Sequence, residues 1–450
     1  MKANRLTTAV AVLAAATAML AACSAGDAAG NGASEASASA PGAAEAATSD
    51  FDPTEPVTLN FTWWGADDRA SRYEEVLAKF NEKYPNITVV RNWTSWGDYW
   101  TARSVEAAGR ALPDVMQTDV QYIGQYANPG LLLDLQPYVG ELISLDGYDE
   151  NLLAAGTVGG ALVGLPQSTT ELGITFNKDL LDELGVAYPA DDMTWDDLYD
   201  YIREVNAAGA ARSPAVYTTI DFTGAPAWFF YHLLQEGVEP FAEDGTPGFT
   251  QEDVVEWLDS VADLREDGAF FPADRTVALS PKSAFSAGEA TQTMEWSTLI
   301  SNGMKDLGTE NLAIVPPPFG SDTSNRNMAQ KPGMLLSVAA NTQHPEAAAL
   351  LVDFISNSPE SAAIFGTSRG VPATQAGRDA IDPSTADSIV LEYEDSIRDQ
   401  FTSTYPALPS NYGVFDSTWI ELHEQLSYGE LTTEEFAEQL FTDAVPQLGS

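Results

Sequence analysis

The regular part of the chain opens with an alternation of apolar and polar side chains. At residues 57–62 every second residue is apolar, which predicts a β-strand. Apolar residues then recur at helical spacing between Tyr73 and Phe80, until Pro85 ends the helix. A second apolar run at 87–90 predicts the next strand. This strand–helix–strand order is typical of the start of an α/β fold.

The same order continues less regularly along the chain. Residues 114–116 predict a short strand and residues 121–128 a helix. A strand at 174–176 then precedes a helix at 178–184. Together these segments predict an α/β architecture whose strands are joined by parallel-type crossovers.

Capping residues and prolines mark several later helix starts. Thr432 and Glu435 have the spacing of a capping box, and Thr194 opens another helix of the same kind. Pro345 and Pro359 each stand at a first helical position, where a missing N–H leaves no hydrogen bond unmade. We interpret these residues as structural signals and not as a site.

The first fifty residues differ in composition from the rest. Basic residues precede an apolar run at 6–22, which is short for a membrane span and typical of an export signal. The run ends in Leu-Ala-Ala-Cys at Cys23, which resembles the sequence at which bacterial lipoproteins are acylated. We predict a signal peptide at 1–22, lipidation of Cys23, and a flexible tether rich in Ala, Gly and Ser up to residue 50.

The charge of the chain excludes two classes of partner. There are 66 Asp and Glu against 21 Lys and Arg, a formal net charge of -45 at pH 7. Nucleic-acid phosphates and anionic lipid headgroups repel such a protein. We therefore expect no nucleic-acid partner, and membrane attachment only through the lipid anchor. The same charge favours a neutral or cationic ligand.

The sequence contains little of the chemistry that metalloenzymes use. Its single cysteine and its three scattered histidines, His232, His344 and His423, have no metal-ligand spacing. It also has no recognisable Gly-rich phosphate loop. We therefore expect no metal, no cofactor and no catalytic residue.

Six stretches of the chain follow an order that resembles one protein family. The first reads Ala-Ala-Gly-Arg-Ala-Leu-Pro-Asp-Val, and no single stretch is decisive, but the ordered series is specific. The stretches lie at 107–115, 126–135, 160–180, 194–198, 284–290 and 369–372. In this series the chain resembles the carbohydrate-binding lipoproteins of bacterial ATP-binding-cassette (ABC) importers, the solute-binding family that includes maltose-binding protein. The resemblance covers nearly all of 57–447.

The resemblance implies a fold and a mode of action. The fold is periplasmic-binding-protein-like, with two α/β lobes joined by a hinge of about three crossing segments and the ligand in the cleft between them. Lobe one then comprises 51–172 and 330–370, and lobe two comprises 173–329 and 371–450. A monomer on the outer face of the cell membrane would capture a sugar by hinge closure and deliver it to an ABC permease.

Ten tryptophans favour a sugar ligand. The apolar face of a pyranose packs on an aromatic ring, while its hydroxyls pair with carboxylates and amides. Trp64 ends the first predicted strand with Asp67 just beyond it, and Trp96 follows the second. Neighbouring strand residues point to opposite faces, so at most one of Trp63 and Trp64 faces the cleft. Several spaced tryptophans favour an oligosaccharide of two or more units.

The resemblance adds further candidate ligand-binding residues. Asp119 matches the position where many family members place an acid on the sugar, with a helix cap as the alternative. Trp296, beside Glu295, stands where the family commonly presents a stacking tryptophan. The remaining candidates are Gln167, Glu171, Asp221, Trp228, Lys331, Gly333, Arg369, Tyr412 and Phe415.

Some of these positions have a second interpretation. The segment 331–333 departs from the Gly-rich or Trp-Gly-Gly segment of many relatives. Arg369 either binds the sugar or forms an interlobe salt bridge. Trp195 and Trp257 have the positions of structural residues, whereas Trp419 is ambiguous.

Other functions compete with sugar import. Residues 366–370 match the G-x-S-x-G pattern of α/β-hydrolases, but a helical pattern precedes Ser368 where that motif needs a strand. A glycoside hydrolase needs only two carboxylates in a sugar cleft, and a sugar-sensing lipoprotein needs only the same fold. We predict a non-enzymatic substrate-binding protein and keep the secreted glycoside hydrolase and the sensor as alternatives.

Overall fold

The computed structural model describes most of the chain beyond the tether. The described residues are 52–65, 67–242, 245–280, 282–320, 326–406 and 408–448. The predicted signal peptide, Cys23 and the tether lie outside them. Within the described residues, no helix combines the length and the apolar character needed to cross a bilayer.

The strands of the described residues are short and distributed over the whole chain. In chain order they are β1 (Val57–Trp64), β2 (Ile87–Thr94), β3 (Val115–Thr118), β4 (Thr157–Val158), β5 (Ala161–Leu162), β6 (Leu165–Thr169), β7 (Leu172–Asn177), β8 (Gln292–Trp296), β9 (Leu312–Val315), β10 (Met328–Gln330), β11 (Pro332–Val338), β12 (Val371–Pro372) and β13 (Phe401–Thr404).

Helices account for most of the remaining regular structure. They are α1 (Asp67–Lys83), α2 (Trp96–Ala108), α3 (Val120–Ala127), α4 (Glu150–Ala155), α5 (Lys178–Leu184), α6 (Trp195–Gly209), α7 (Pro226–Gln235), α8 (Gln251–Asp259), α9 (Ala262–Glu266), α10 (Ala273–Leu279), α11 (Ile300–Leu307), α12 (Pro345–Asn357), α13 (Pro359–Phe365), α14 (Gln375–Asp379), α15 (Thr385–Ile397), α16 (Tyr412–Ser427) and α17 (Thr433–Asp443). Short 3-10 turns lie at Gln136–Tyr138, Phe222–Gly224, Ser297–Leu299, Arg398–Gln400 and Val445–Gln447.

The helix starts follow the sequence signals. Thr194 and Thr432 cap α6 and α17 in capping boxes, each with an acid three residues later that bonds back to the cap. Pro345 and Pro359 begin α12 and α13. These four local predictions are confirmed because each depends only on neighbouring residues.

The larger sheet has six strands in the order β12-β6-β11-β3-β1-β2. β1 is parallel to β2 and β3, as the strand–helix–strand pattern predicted. β11 is antiparallel to β3 and β6, and β12 is antiparallel to β6. The sheet is therefore mixed, and its antiparallel strands adjoin the segments that lead to the second sheet.

Apolar cores lie on both faces of the larger sheet. On one face, Tyr73 and Phe80 of α1 pack with Phe61 and Trp63 of β1, under α12. On the other face, Trp64 belongs to a separate cluster formed with α2 and α3. Trp63 and Trp64 therefore point to opposite faces, as the period of a strand requires.

The smaller sheet has the three strands β8-β7-β9, all antiparallel. The expectation of parallel-type crossovers is therefore wrong for this sheet. Both β8 and β9 follow helical segments and pair with β7 in the antiparallel direction. Its core is rich in aromatic rings and contains Trp195, Trp228, Trp257 and Trp419. Trp195 and Trp257 are thus structural, as predicted, and Trp419 proves to be structural as well.

Each sheet is the centre of one lobe. We call the six-stranded sheet with the helices packed on it lobe one, and the three-stranded sheet with its helices lobe two. Because β12 pairs with β6, Val371 and Pro372 extend lobe one just beyond the predicted boundary at residue 370. The other predicted boundaries, 51–172 with 330–370 and 173–329 with 371–450, stay predictions.

Candidate ligand-binding cleft

Three chain segments cross between the lobes and pack closely together. The Ser168 hydroxyl donates to the carbonyl of Arg369 at 2.6 Å, and the backbone N–H of Thr170 donates to the carbonyl of Lys331 at 3.0 Å. A Cβ atom at Gly333 would lie 2.7 Å from the Arg369 carbonyl oxygen. The three crossing segments, 168–172, 331–333 and 369–372, therefore form one hinge in which position 333 has room only for glycine.

Lys331 brings residues of both lobes together. Its Nζ lies 3.6 Å from Oδ2 of Asp119 and 5.0 Å from the centroid of the Trp296 ring. It also lies 5.9 Å from the ring of Tyr405, and the whole residue is only 6% exposed. A buried ammonium between a carboxylate and two aromatic rings marks the base of the cleft.

The two carboxylate oxygens of Asp119 have different partners. It is the N-cap of α3, where its Oδ1 accepts from the backbone N–H of Gln121 at 2.9 Å. Its other oxygen faces Lys331. The helix cap and the cleft acid, which were alternatives at the sequence level, are therefore the same carboxylate.

Glu171 is a buried acid on the first crossing segment. It is 1% exposed, and its Oε1 has no hydrogen-bond partner within the described residues. Desolvation raises the pKa of Glu171 well above its usual value, and the nearby carboxylate of Glu394 adds to the rise, while Lys331 opposes it. Burial therefore favours the neutral form of the Glu171 carboxyl at the hinge.

Trp296 ends strand β8 at the edge of lobe two. It pairs in register with Leu172, directly after the first crossing segment. Together with Glu171, Tyr231 and Tyr405 it lines a small cavity of about 30 Å³. Its sequence neighbour Glu295 is half-buried, and desolvation raises the pKa of that carboxyl to about 7. The structure thus brings the sequence-predicted Glu171, Trp296 and Lys331 together.

An aromatic wall stands at the lobe-one side. Trp96, at the start of α2, is 39% exposed and contacts the edge of Trp64, with ring centroids 4.8 Å apart. Tyr122 of α3 contacts Trp96 at 5.7 Å and stacks on Trp100 at 3.9 Å. Asp67 is exposed in the first turn of α1. The Trp96 ring is therefore partly exposed to solvent, whereas the Trp64 ring is buried and packs against it.

Gln167 and Arg369 meet beneath the hinge in lobe one. An Nη1 hydrogen of Arg369 is donated to Oε1 of Gln167, and the same nitrogen lies 3.3 Å from the Tyr73 hydroxyl. The guanidinium lies over the ring of Phe365 at 3.3 Å. The interlobe salt bridge considered for Arg369 is not formed with any described residue.

The structure places Asp221 away from this group. It caps the 3-10 turn at Phe222–Gly224 and pairs with Arg265 at 2.6 Å and with His423 at 3.3 Å. Burial alone would raise the pKa of Asp221, but the hydrogen bond and charge of His423 and the charge of Arg265 bring it well below its usual value. Asp221 is an ion-pair partner in lobe two, and in this structure it has no contact with the cleft residues above.

Trp228 and Phe415 lie inside the aromatic core of lobe two, with 1% and 0% exposure. The indole N–H of Trp228 donates to the carbonyl of Met294 at 3.3 Å. Tyr412 is also buried, at the start of α16, beside the carboxyl of Asp416. These three side chains support the wall of the cleft and do not present a surface to it.

Sequence reasoning missed Tyr405 and Asp416. Tyr405 follows β13, which pairs with β10 just before Lys331, and nothing in the local sequence indicates that pairing. Burial raises the pKa of Asp416 to about 6, and the charge of Asp119 adds to the rise. Both residues lie far along the chain from Asp119 and Lys331, so only the folded structure shows that they approach the cleft.

A groove of about 1100 Å³ continues from Tyr405 between the lobes. Lobe one contributes α3, α4 and the β4–β5 turn, and lobe two contributes Phe241 and the segment at 405–410. Asn128 of lobe one donates to the hydroxyl of Ser410 at 2.5 Å across it. The lobes therefore touch beside a space large enough for a multi-unit ligand.

The hydrolase pattern does not have hydrolase geometry. Ser368 follows helix α13, and its hydroxyl donates to the carbonyl of Phe365 at 2.7 Å. His423 instead contacts Thr223 at 3.1 Å. In the described residues no group of three or more His, Cys, Asp or Glu side chains is arranged to hold a metal ion.

A family model of the bacterial extracellular solute-binding proteins matches residues 65–361. The chain belongs to this family. A putative binding protein of Brucella abortus is 20% identical to this solute-binding protein over 241 residues. That alignment covers 52% of this chain and 56% of the relative, so the chain spans little more than half of that relative's length.

Solved structures with the same fold cover almost all of the described chain. A periplasmic oligogalacturonide-binding protein of Yersinia enterocolitica, in complex with digalacturonic acid, is 22% identical with a TM-score of 0.74, over 87% of this chain and 98% of that one. An ABC substrate-binding protein of Listeria monocytogenes, in complex with cycloalternan, is 19% identical with a TM-score of 0.74, over 88% and 100%. This solute-binding protein has their two-lobed fold.

Proposed function

We propose that this protein captures a carbohydrate, an oligosaccharide, in the cleft between its lobes and delivers it to an ABC permease. The observation that carries the proposal is the meeting of Asp119, Lys331 and Trp296 at the hinge. A carboxylate and an ammonium recognise sugar hydroxyls, and an aromatic ring packs on the apolar sugar face. The sugar ligands of the Yersinia and Listeria relatives support the same class of ligand.

Binding is coupled to hinge closure. Asp119 and Trp96 belong to lobe one, whereas Trp296 belongs to lobe two, so a sugar between them gains its full set of contacts only when the lobes are together. A ligand that prefers one of two states shifts the population toward it. The closed form is then the one that docks on the permease.

Attachment to the membrane follows from the N-terminal sequence. Acylation at Cys23 would hold a monomer on the outer face of the cell membrane, with residues 23–50 as a tether. The large negative charge of the folded lobes keeps them from lying on an anionic bilayer. Mass spectrometry of the mature protein tests this step, because it detects the acyl chains on Cys23.

A glycoside hydrolase is the second candidate, and Glu295 is the observation that favours it. The carboxyl of Glu295, which precedes Trp296 on β8, has a pKa of about 7, so a substantial fraction of it is protonated at neutral pH, as a general acid requires. Transport requires no such chemistry. Analysis of the sugars recovered after long incubation separates the two functions.

The decisive experiment is calorimetry of the purified protein with a panel of neutral and acidic di- and trisaccharides. We expect one-to-one binding of at least one sugar, a smaller radius of gyration in solution scattering with that sugar, and no change in the sugar itself. Failure to bind any carbohydrate contradicts the proposal. Cleavage of the sugar replaces it with the hydrolase.

A further inference from the structure

A buried cation lies beside the cleft without an anionic partner. Arg369 is 6% exposed, and its neighbours are the Gln167 amide, the Tyr73 hydroxyl and the Phe365 ring. Among the described residues, no Asp or Glu lies within ion-pair distance of it. Buried charges in proteins are ordinarily paired, so this guanidinium has capacity for an anion.

The unused hydrogen-bonding atoms around Arg369 are donors. Nε of Arg369, Nε2 of Gln167 and Nε2 of Gln117 are buried and have no partner within the described residues. The orientation of the Gln167 amide is set by Arg369, because a flipped amide would place two donors face to face. Gln117 Oε1 is occupied by the Tyr73 hydroxyl at 2.8 Å. Three donors and a cation together fit an oxyanion and not a hydroxyl or a base.

A second arginine stands next to this group. Arg69, half-buried in the first turn of α1, donates to the carbonyl of Trp64 at 3.0 Å and has no ion pair with a described acid. Burial lowers the pKa of Arg369 to about 10, and the charge of Arg69 contributes to the lowering. Both guanidinium groups stay protonated at neutral pH, so they repel each other unless an anion binds between them.

The group lies beside two of the crossing segments and beside the strand that leads to Asp119. Gln117 stands two residues before Asp119 on the strand that leads into the cleft. Gln167 lies on β6, directly before the first crossing segment, and Arg369 begins the third crossing segment. Arg69 donates a hydrogen bond to the carbonyl of Trp64. The two arginines therefore lie next to segments that border the cleft.

We propose that the captured sugar carries an anionic group, the carboxylate of a uronic acid or the phosphate of a sugar ester, and that Arg369 and Arg69 bind it with the amides of Gln117 and Gln167. The proposal rests on the proposed function. It reverses the expectation of a neutral ligand that the net charge of -45 favoured. That charge is spread over a solvated surface where water and salt screen it, whereas two arginines next to the ligand act at short range in a dry site.

Calorimetry with two matched pairs of probes tests this proposal. One pair is digalacturonate and the corresponding neutral galactose disaccharide; the other is a hexose 1-phosphate and the free hexose. We expect one anionic probe to bind at least roughly 30-fold more tightly than its neutral partner, the effect of a desolvated charge pair. A preference in the first pair identifies a carboxylate, and a preference in the second identifies a phosphate ester.

Two variants and a control separate ligand binding from a structural role. Arg369→Gln removes one of the two cations. Arg69→Gln removes the other, and it carries the test if the Arg369→Gln variant fails to fold. We expect either change to weaken the anionic probe about 10-fold or more and to leave any binding of its neutral partner unchanged. Arg203→Gln is the control, because Arg203 is paired with Asp200 on the exposed surface of α6 in lobe two. A merely structural role would weaken both probes of a pair equally.

The outcomes distinguish this proposal from the proposed function. Equal or tighter binding of the neutral probes overturns the anion site and leaves sugar capture in place. Binding of no probe, and of no sugar in the wider panel, overturns both. Unchanged anion affinity in Arg69→Gln and Arg369→Gln also overturns the assignment of these arginines.

Discussion

The ammonium of Lys331 lies 3.6 Å from the carboxylate of Asp119, and both side chains are nearly buried. The pair joins the second crossing segment to the start of α3 at the base of the cleft. Neither charge is well solvated, so each is stabilised mainly by the other. We therefore expect the loss of either charge to lower both the stability of the fold and the affinity for the ligand.

Lys331→Met tests this dependence. Removal of the ammonium leaves the buried carboxylate of Asp119 without an opposite charge, so we expect the free energy of unfolding to fall by about 3 kcal/mol. Asp119→Asn on the same background restores part of the loss, because the stranded charge is then gone. Urea denaturation of the single and double variants measures both effects.

The control is Lys79→Met. Lys79 forms an even shorter ion pair, with Glu82 at 3.1 Å, but on the surface of α1. We expect its removal to change the free energy of unfolding by less than about 1 kcal/mol. Equal losses in the two lysine variants would show that the cleft pair is not buried in solution.

Trp296→Ala is expected to weaken binding of the captured sugar by about 2 kcal/mol, a factor of roughly 30, because the apolar sugar face loses its platform. Tyr188→Ala is the control, since Tyr188 is an exposed aromatic residue of lobe two that contacts Phe176 and Asp182 and none of the cleft residues. Calorimetry gives both affinities. Wild-type affinity in Trp296→Ala would remove this residue from the binding site.

Gly333→Ala is expected to lower the free energy of unfolding by about 1–3 kcal/mol. The new Cβ would lie 2.7 Å from both the Arg369 carbonyl oxygen and the Ser168 hydroxyl, so the crossing segments must separate. Gly97→Ala, inside α2 with no atom within 4 Å of the added Cβ, should instead be neutral or stabilising by up to about 1 kcal/mol. Denaturation curves of the two variants give the comparison, and a harmless Gly333→Ala would disprove close packing at the hinge.

Glu394 makes stability depend on pH. It is buried on α15, where its Oε2 accepts from the Thr169 hydroxyl at 2.6 Å, and desolvation raises its pKa from 4.5 to about 7. The charged and titratable groups that face it are Glu171, Arg378, Tyr393, Asp395 and Arg398. Between pH 4.5 and 7 the folded state therefore holds a proton that the unfolded state releases.

The sign of the effect follows from that proton. Stability from Glu394 is fully present below about pH 4.5 and is lost as the pH rises to about 7, by roughly 3 kcal/mol. Glu394→Gln, which stays neutral, should therefore raise the free energy of unfolding at pH 8 and leave it unchanged near pH 4.5. Glu392→Gln, exposed on the same helix, is the control. A Glu394→Gln variant with the wild-type pH dependence would contradict the assignment.

The sequence predicted the start of lobe one and several helix starts of lobe two because the signals there are local. The alternation in β1, the apolar stripe of α1 and the caps of α6 and α17 all involve residues within a few positions of each other. The same applies to Trp63 and Trp64, whose opposite faces follow from the period of a strand. The resemblance to the family then named Lys331 and Trp296 as separate ligand-binding candidates, and only the structure shows that they are in contact.

What the sequence determined by itself is the class of fold, the helix starts and a set of aromatic and acidic candidates. Only the tertiary structure decided which candidates meet. Asp221 pairs with Arg265 and His423 inside lobe two, whereas Asp119 faces Lys331. A carboxylate has the same local sequence signature in an ion pair, a cap or a ligand site. Its role depends on the charges and the burial that distant segments bring to it, and those are fixed only when the chain is folded.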